Sequence, residues 1–182
     1  MTRFAALLRG VNVGGITVKS ADLAALFRSL GFDAVTTVLA SGNVLFETDA
    51  PGSDPDAAAT LKTTIEKGLR ERFGYEAWIV LVDRAELTGI VDGFPYEEVD
   101  GMQPYVVFSS DPAVTAEIGA FVEQLDPATD PAERAELRDD RVVYWEVPKG
   151  HSLDTALAKY LAKPRFKSAT TTRNLRTLRK LL

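Results

Sequence analysis

Between residues 3 and 82, apolar runs of strand length alternate with helical stripes in one fixed order, and that order leaves few ways to bury the chain. Phe4 to Leu8 is almost continuously apolar, which predicts a strand covered on both faces and central in its sheet. Leu23, Leu26, Phe27 and Leu30 then fall at i, i+3, i+4 and i+7, a helix that Ser20 can cap and Gly31 can stop. Two β-rich runs, 34–39 and 43–48, flank Ala40-Ser41-Gly42, which is short enough for a hairpin with glycine at the strained position. After a loop at 51–55, Ala58, Leu61, Ile65, Leu69 and Phe73 mark a second helix that ends at Gly74, and 77–82 is a further apolar strand.

The resulting order, β-α-β-β-α-β, is that of the ferredoxin-like split βαβ arrangement, an antiparallel sheet with two helices on one face. Asp83 and Glu86 resemble a capping box that opens a short linking helix through Leu87, Ile90 and Val91. The pattern then recurs. Tyr105–Ser109 reads as a strand, and Asp111-Pro112 caps a helix carrying Val114, Ile118, Phe121, Val122 and Leu125. Residues 133–138 and 142–147 pair across Asp139-Asp140, and Ser152 opens a helix that buries Leu153, Ala156, Leu157, Tyr160 and Leu161. No final strand is evident, and the chain ends in a basic helix from about Thr172. The fold class expected is therefore α/β in the α+β sense: two ferredoxin-like β-α-β-β-α units with mainly antiparallel sheets and a basic C-terminal helix. The units are expected at 1–83 and 84–182, with the boundary between Asp83 and Gln103.

Composition narrows the chemistry. With no cysteine there is no disulfide, thiolate nucleophile or cysteine metal site, and a single histidine, His151, rules out a histidine-rich one. Neither a metal nor a cofactor is expected, although acidic residues could hold Mg²⁺ or Ca²⁺. No apolar run is long enough to span a membrane, and Arg9 interrupts the N-terminal apolar stretch too early for a signal peptide, so a cytoplasmic protein is expected. The net charge of −5 hides an asymmetry. Residues 1–148 carry 12 basic and 25 acidic side chains, whereas residues 149–182 carry nine basic side chains against Asp154 alone. Such a tail either seeks an external anion or docks on the chain's own acidic surface.

The strongest candidate site is Arg9-Gly10-Val11-Asn12-Val13-Gly14-Gly15, because glycines and an arginine after a buried strand can bring bare backbone N–H groups to an anion. It is not a Walker A loop, since Ile16-Thr17-Val18 separate Gly15 from Lys19, and its glycines lack dinucleotide-fingerprint spacing. Gly14-Gly15 can equally serve a wide turn. Ser41-Gly42-Asn43 would lie beside that loop in the predicted topology, yet these are also ordinary turn residues. Arg173, Arg176 and Lys180, at i, i+3 and i+7, would form one cationic face of the last helix. His151 and Asp139-Asp140 read as loop and turn residues, while Trp78, Tyr144 and Trp145 read as core or half-buried sheet residues.

Three blocks, Leu7 to Gly15, Ala40 to Phe46 and Ala169 to Asn174, in this order and spacing resemble the bacterial domain-of-unknown-function family 1697. The resemblance runs along the whole chain, with Leu175 standing where the family's usual tail has tryptophan. It implies two ferredoxin-like halves and no established activity. It also suggests that Arg9, Gly10, Asn12, Gly14, Gly15, Ser41, Asn43, Arg173 and Asn174 converge, either on a phosphate, carboxylate or nucleotide, or as an internal polar network. The expected function is binding of a small anionic or phosphorylated ligand, or of nucleic acid. The alternatives are an enzyme in which Arg9 or Arg173 stabilises charge and Asp49 or Asp83 acts as base, and a protein-interaction module.

Overall fold

The computed structural model describes residues 1–10, 17–40, 42–52, 54–74, 76–126 and 128–182. They divide into two units, Met1–Thr88 with Lys180–Leu182, and Gly89–Arg179. Together they form a mixed α+β chain with two four-stranded antiparallel sheets and six α-helices among the described residues.

The first unit contains β1 (Thr2–Arg9), α1 (Ser20–Ser29), β2 (Asp33–Val38), β3 (Asn43–Thr48), α2 (Pro55–Phe73) and β4 (Trp78–Asp83). Its strands run in the order β2-β3-β1-β4, every neighbour antiparallel, so β3 inserts between β1 and β2. As its apolar run requires, β1 is central, and Phe4 through Leu8 are all buried. Phe4, Ala6 and Leu8 pack with Val44, Phe46, Ile79 and Leu81 beneath Leu23, Leu26 and Phe27 of α1 and Leu61, Ile65 and Leu69 of α2. Fully burying one such side chain stabilises by about 1.5–3 kcal/mol. Alternation sends Ala5, Leu7, Leu45, Val80 and Val82 to the opposite face, where they too are buried.

The ends of α2 follow their local signals. The Asp54 carboxylate accepts from the Asp56 and Ala57 N–H groups, Pro55 needs no donor at the first position, and Gly74 stops the helix at φ +69°. At α1 the expected cap is corrected. Lys19 is the extended N-cap residue, its carbonyl accepts from Leu23 N–H, and Ser20 is already helical. The helix α3 (Arg84–Asp92) opens as expected, with Asp83 Oδ1 accepting from Glu86 N–H at 2.8 Å.

The second unit adds β5 (Met102–Ser109), α4 (Pro112–Val122), β6 (Arg134–Leu137), β7 (Val142–Pro148), α5 (Ala156–Leu161), β8 (Thr170–Asn174) and α6 (Leu175–Arg179). Its order, β6-β7-β5-β8, repeats that of the first sheet. Contrary to the expectation that no final strand follows, β8 pairs antiparallel with β5. Three consecutive threonines, β-branched and stiff, favour this extended backbone over a helical start. The terminal helix consequently has only five residues, and Arg173, Arg176 and Lys180 do not share a helical face: Arg173 lies on a strand and Lys180 beyond the helix end. A second correction concerns α5. Its cap is Thr155, whose Oγ1 accepts from Ala158 N–H, while Ser152 lies in a preceding turn and Leu153 is 87% exposed. The core of this unit joins Val107, Val143, Trp145 and Val147 to Ile118 and Val122 of α4 and Leu157 and Leu161 of α5.

Candidate functional site

In the first unit, antiparallel pairing brings two distant sequence blocks together. Leu7 lies opposite Asn43, and Leu8 N–H donates to the Gly42 carbonyl at 2.8 Å, so Arg9 and Gly10 leave the sheet beside Gly42 and Asn43. On the other side of β1, Arg9 is directly opposite Trp78 of β4. Parity places Arg9, Asn43 and Trp78 on the sheet face away from α1 and α2. Arg9 is half-buried, and desolvation holds its guanidinium below the ordinary arginine pKa. Asn43 is fully buried, its Nδ2 donating to the Val38 carbonyl at 3.0 Å across the hairpin. Gly10 has φ +83°, and a Cβ there would meet no atom within 4 Å among the described residues, so backbone is open to close approach. Leu39, near the hairpin tip, is left-handed at φ +59° despite its branched side chain. Asn12, Gly14, Gly15 and Ser41 lie outside the described residues.

Arg173 and Asn174 belong to the second unit. Arg173 is 8% exposed, and burial pulls its pKa down to about 10, still high enough to keep the charge at neutral pH. Its Nη1 donates to Thr171 Oγ1 at 2.6 Å and to the Thr172 carbonyl at 3.0 Å. Asn174 Oδ1 accepts from Arg176 N–H at 2.9 Å, which starts α6. Much of the basic tail docks on acids of its own unit: Arg179 pairs with Glu98, Arg176 approaches the same carboxylate, and Arg165 pairs with Glu117. The hydrogen bond from Arg179 lowers the Glu98 pKa.

Of the two carboxylates considered as bases, Asp83 caps α3 and Asp49 is exposed on a bend. Asp139 accepts from Arg141 N–H at 2.9 Å, a turn contact, and His151 Nδ1 lies 3.0 Å from the Asp154 carboxylate. Among the described residues, no group of three or more metal-ligating side chains occurs, and no helix is long and apolar enough to cross a membrane. Tyr144 and Trp145 are buried, whereas Trp78 is only half-buried.

Sequence reasoning overlooked two buried carboxylates. Glu133 accepts from Trp145 Nε1 at 2.8 Å and from Leu157 N–H at 2.9 Å. Glu146 is completely buried on β7 and bonded to Arg134 of β6. The one available signal was an isolated acid inside the otherwise apolar run 142–147.

These features carry the motif blocks of a known group. A family model described as "Protein of unknown function (DUF1697)" matches residues 1–144. The chain belongs to this DUF1697 family. The matched span contains the first two blocks, and the third, at 169–174, lies beyond it. The fold is similar to that of a solved structure described as the conserved bacterial protein SP0830 from Streptococcus pneumoniae, with a TM-score of 0.78 at 24% identity, covering 100% of this chain and 96% of that one. No curated protein matches.

Proposed function

We propose that this DUF1697 protein is a binding module for a small anionic ligand, anchored at the end of the first sheet by Arg9 and the backbone of Gly10. The observation that supports this reading is the meeting of two blocks at one strand end, where a half-buried guanidinium stands beside glycine backbone of positive φ. A guanidinium already stripped of part of its water forms strong charge-assisted bonds to carboxylate or phosphate oxygens. Asn12, Gly14, Gly15 and Ser41 continue the same blocks in sequence and are assigned to the same site. Arg173 and Asn174 are assigned instead to holding β8 and starting α6. A small ligand is preferred to nucleic acid because Arg165, Arg176 and Arg179 are engaged by Glu117 and Glu98.

The test is a thermal-shift series with inorganic phosphate, ribose 5-phosphate and citrate against the wild type, Arg9→Gln and Arg9→Lys. A ligand at 100 times its Kd stabilises the native state by about 2.7 kcal/mol. The shift should vanish in Arg9→Gln and be partly kept in Arg9→Lys. A wild type that none of these anions, nor a nucleotide, stabilises would sink the reading.

A further inference from the structure

Arg9 and Trp78 are directly opposed across β1 and β4, which sets their Cβ atoms about 4.5–5.5 Å apart with both side chains on one face. We infer that this pair recognises a nucleotide, the phosphate held by Arg9 and the base laid against the Trp78 indole. The inference rests on the anion-binding reading of the same strand end and names its ligand class. Three observations carry it. Trp78 is a large aromatic residue half-buried at a strand end, whereas Trp145 is 3% exposed. Its neighbour across the ladder is the cation that the anion reading already requires. A Cβ at Gly10 would meet no atom within 4 Å among the described residues, which leaves a phosphate room beside that backbone.

A fork of donors next to a flat π surface fits a ligand with an anionic group a few ångströms from a flat ring. A sugar phosphate or simple dicarboxylate uses the cation and leaves the indole idle. A nucleoside uses the indole and lacks the charge. A nucleoside monophosphate uses both, and stacking on an aromatic side chain tolerates any base, so no base preference is expected from this pair alone.

Titration calorimetry with adenosine 5′-monophosphate, ribose 5-phosphate and adenosine, together with tryptophan fluorescence, tests the inference. The monophosphate should bind at least about fivefold more tightly than ribose 5-phosphate, the lower end of what one stacked base contributes. It should also quench indole emission. Trp78→Leu should erase that advantage while leaving ribose 5-phosphate binding unchanged, and Trp78→Phe, which keeps an aromatic face, should restore most of it. Circular dichroism and the retained ribose 5-phosphate affinity show that the variants are folded. Equal affinity for the two phosphates, with no effect of Trp78→Leu, overturns the nucleotide assignment and leaves the anion site standing. No binding of either phosphate overturns the nucleotide assignment, and the anion reading falls with it when inorganic phosphate and citrate also leave the protein unstabilised.

Discussion

Glu146 lies fully buried on β7, directly opposite Arg134 of β6, and among the described residues only one of its two carboxylate oxygens is bonded. Arg134 donates from Nε to Oε1 at 2.7 Å and also reaches it through Nη2 at 2.6 Å, while Oε2 finds no donor among the described residues. The arginine side chain is 53% exposed and stacks over Tyr96, with its guanidinium carbon 4.5 Å from the ring centroid. The acid therefore carries nearly the whole desolvation cost of the pair, and the base keeps much of its water.

This asymmetry predicts opposite outcomes for the two halves of the pair. Glu146→Met, of similar volume, removes a buried charge and frees an arginine that water can solvate, so stability should be unchanged or raised by up to about 2 kcal/mol. Arg134→Met leaves the carboxylate buried without its donor and should cost roughly 2–4 kcal/mol. Urea unfolding at constant m-value measures both. A strongly destabilised Glu146→Met would show that Oε2 has a necessary partner.

Glu133 makes the contrasting prediction, because both of its oxygens are used. Oε2 accepts from the Trp145 indole and Oε1 from the Leu157 amide in the first turn of α5, so this carboxylate ties a core strand to a short helix. Glu133→Ala orphans two buried donors and should cost about 3 kcal/mol. Glu133→Gln keeps the shape but turns an NH₂ group toward one donor, and should recover less than half of that loss. Equilibrium denaturation decides, and a neutral Glu133→Gln would mean that one of the two bonds carries no weight.

Where the sequence was readable, the deciding signals were local. Gly74 stops α2 and Asp111-Pro112 opens α4 through their own backbone chemistry, and the apolar continuity of Phe4–Leu8 places β1 inside its sheet. The failures lie where a distant partner decides. Leu175, Leu178 and Leu182 carry a helical spacing that masks the threonine run before them, and only pairing with β5 makes that run a strand. Ser152 and Thr155 are both competent caps in sequence, and the structure uses the later one. Of the candidate site, the neighbourhood of Arg9 and Asn43 followed from the hairpin, whereas the place of Trp78 opposite Arg9 needed the register of β4. Glu146 shows in the sequence only as an acid within an apolar run, and that it is fully buried follows from the packing of the sheet.

Tyr96 gives a prediction in pH. Burial is the main cause pushing its phenol up to about 12, nearby Glu136 adds to it, and Arg134 opposes. A group raised in the fold contributes stability that is fully present below its unfolded pKa near 10 and is lost as pH climbs toward 12. Tyr96→Phe should therefore flatten the fall in stability between pH 10 and 12 relative to the wild type. Ultraviolet titration provides a second readout, with Tyr96 and Tyr144, whose phenol burial also raises, ionising late. Superimposable alkaline stability profiles for the two proteins would refute the assignment.

The last prediction separates structure from binding at Arg173. Its guanidinium is buried on β8 and satisfies Thr171 and the Thr172 carbonyl, so Arg173→Ala removes those bonds and leaves space in a packed region. The expected cost is about 2–4 kcal/mol of folding stability. Because the anion contacts are assigned to Arg9, the Kd for phosphate should stay within about twofold of the wild type when measured below the lowered melting temperature, a difference of about 0.4 kcal/mol. Arg9→Gln should do the reverse, abolishing binding with little loss of stability, since its side chain is only half-buried. A tenfold loss of affinity in a folded Arg173→Ala protein would return Arg173 to the site and make the polar blocks a single binding constellation.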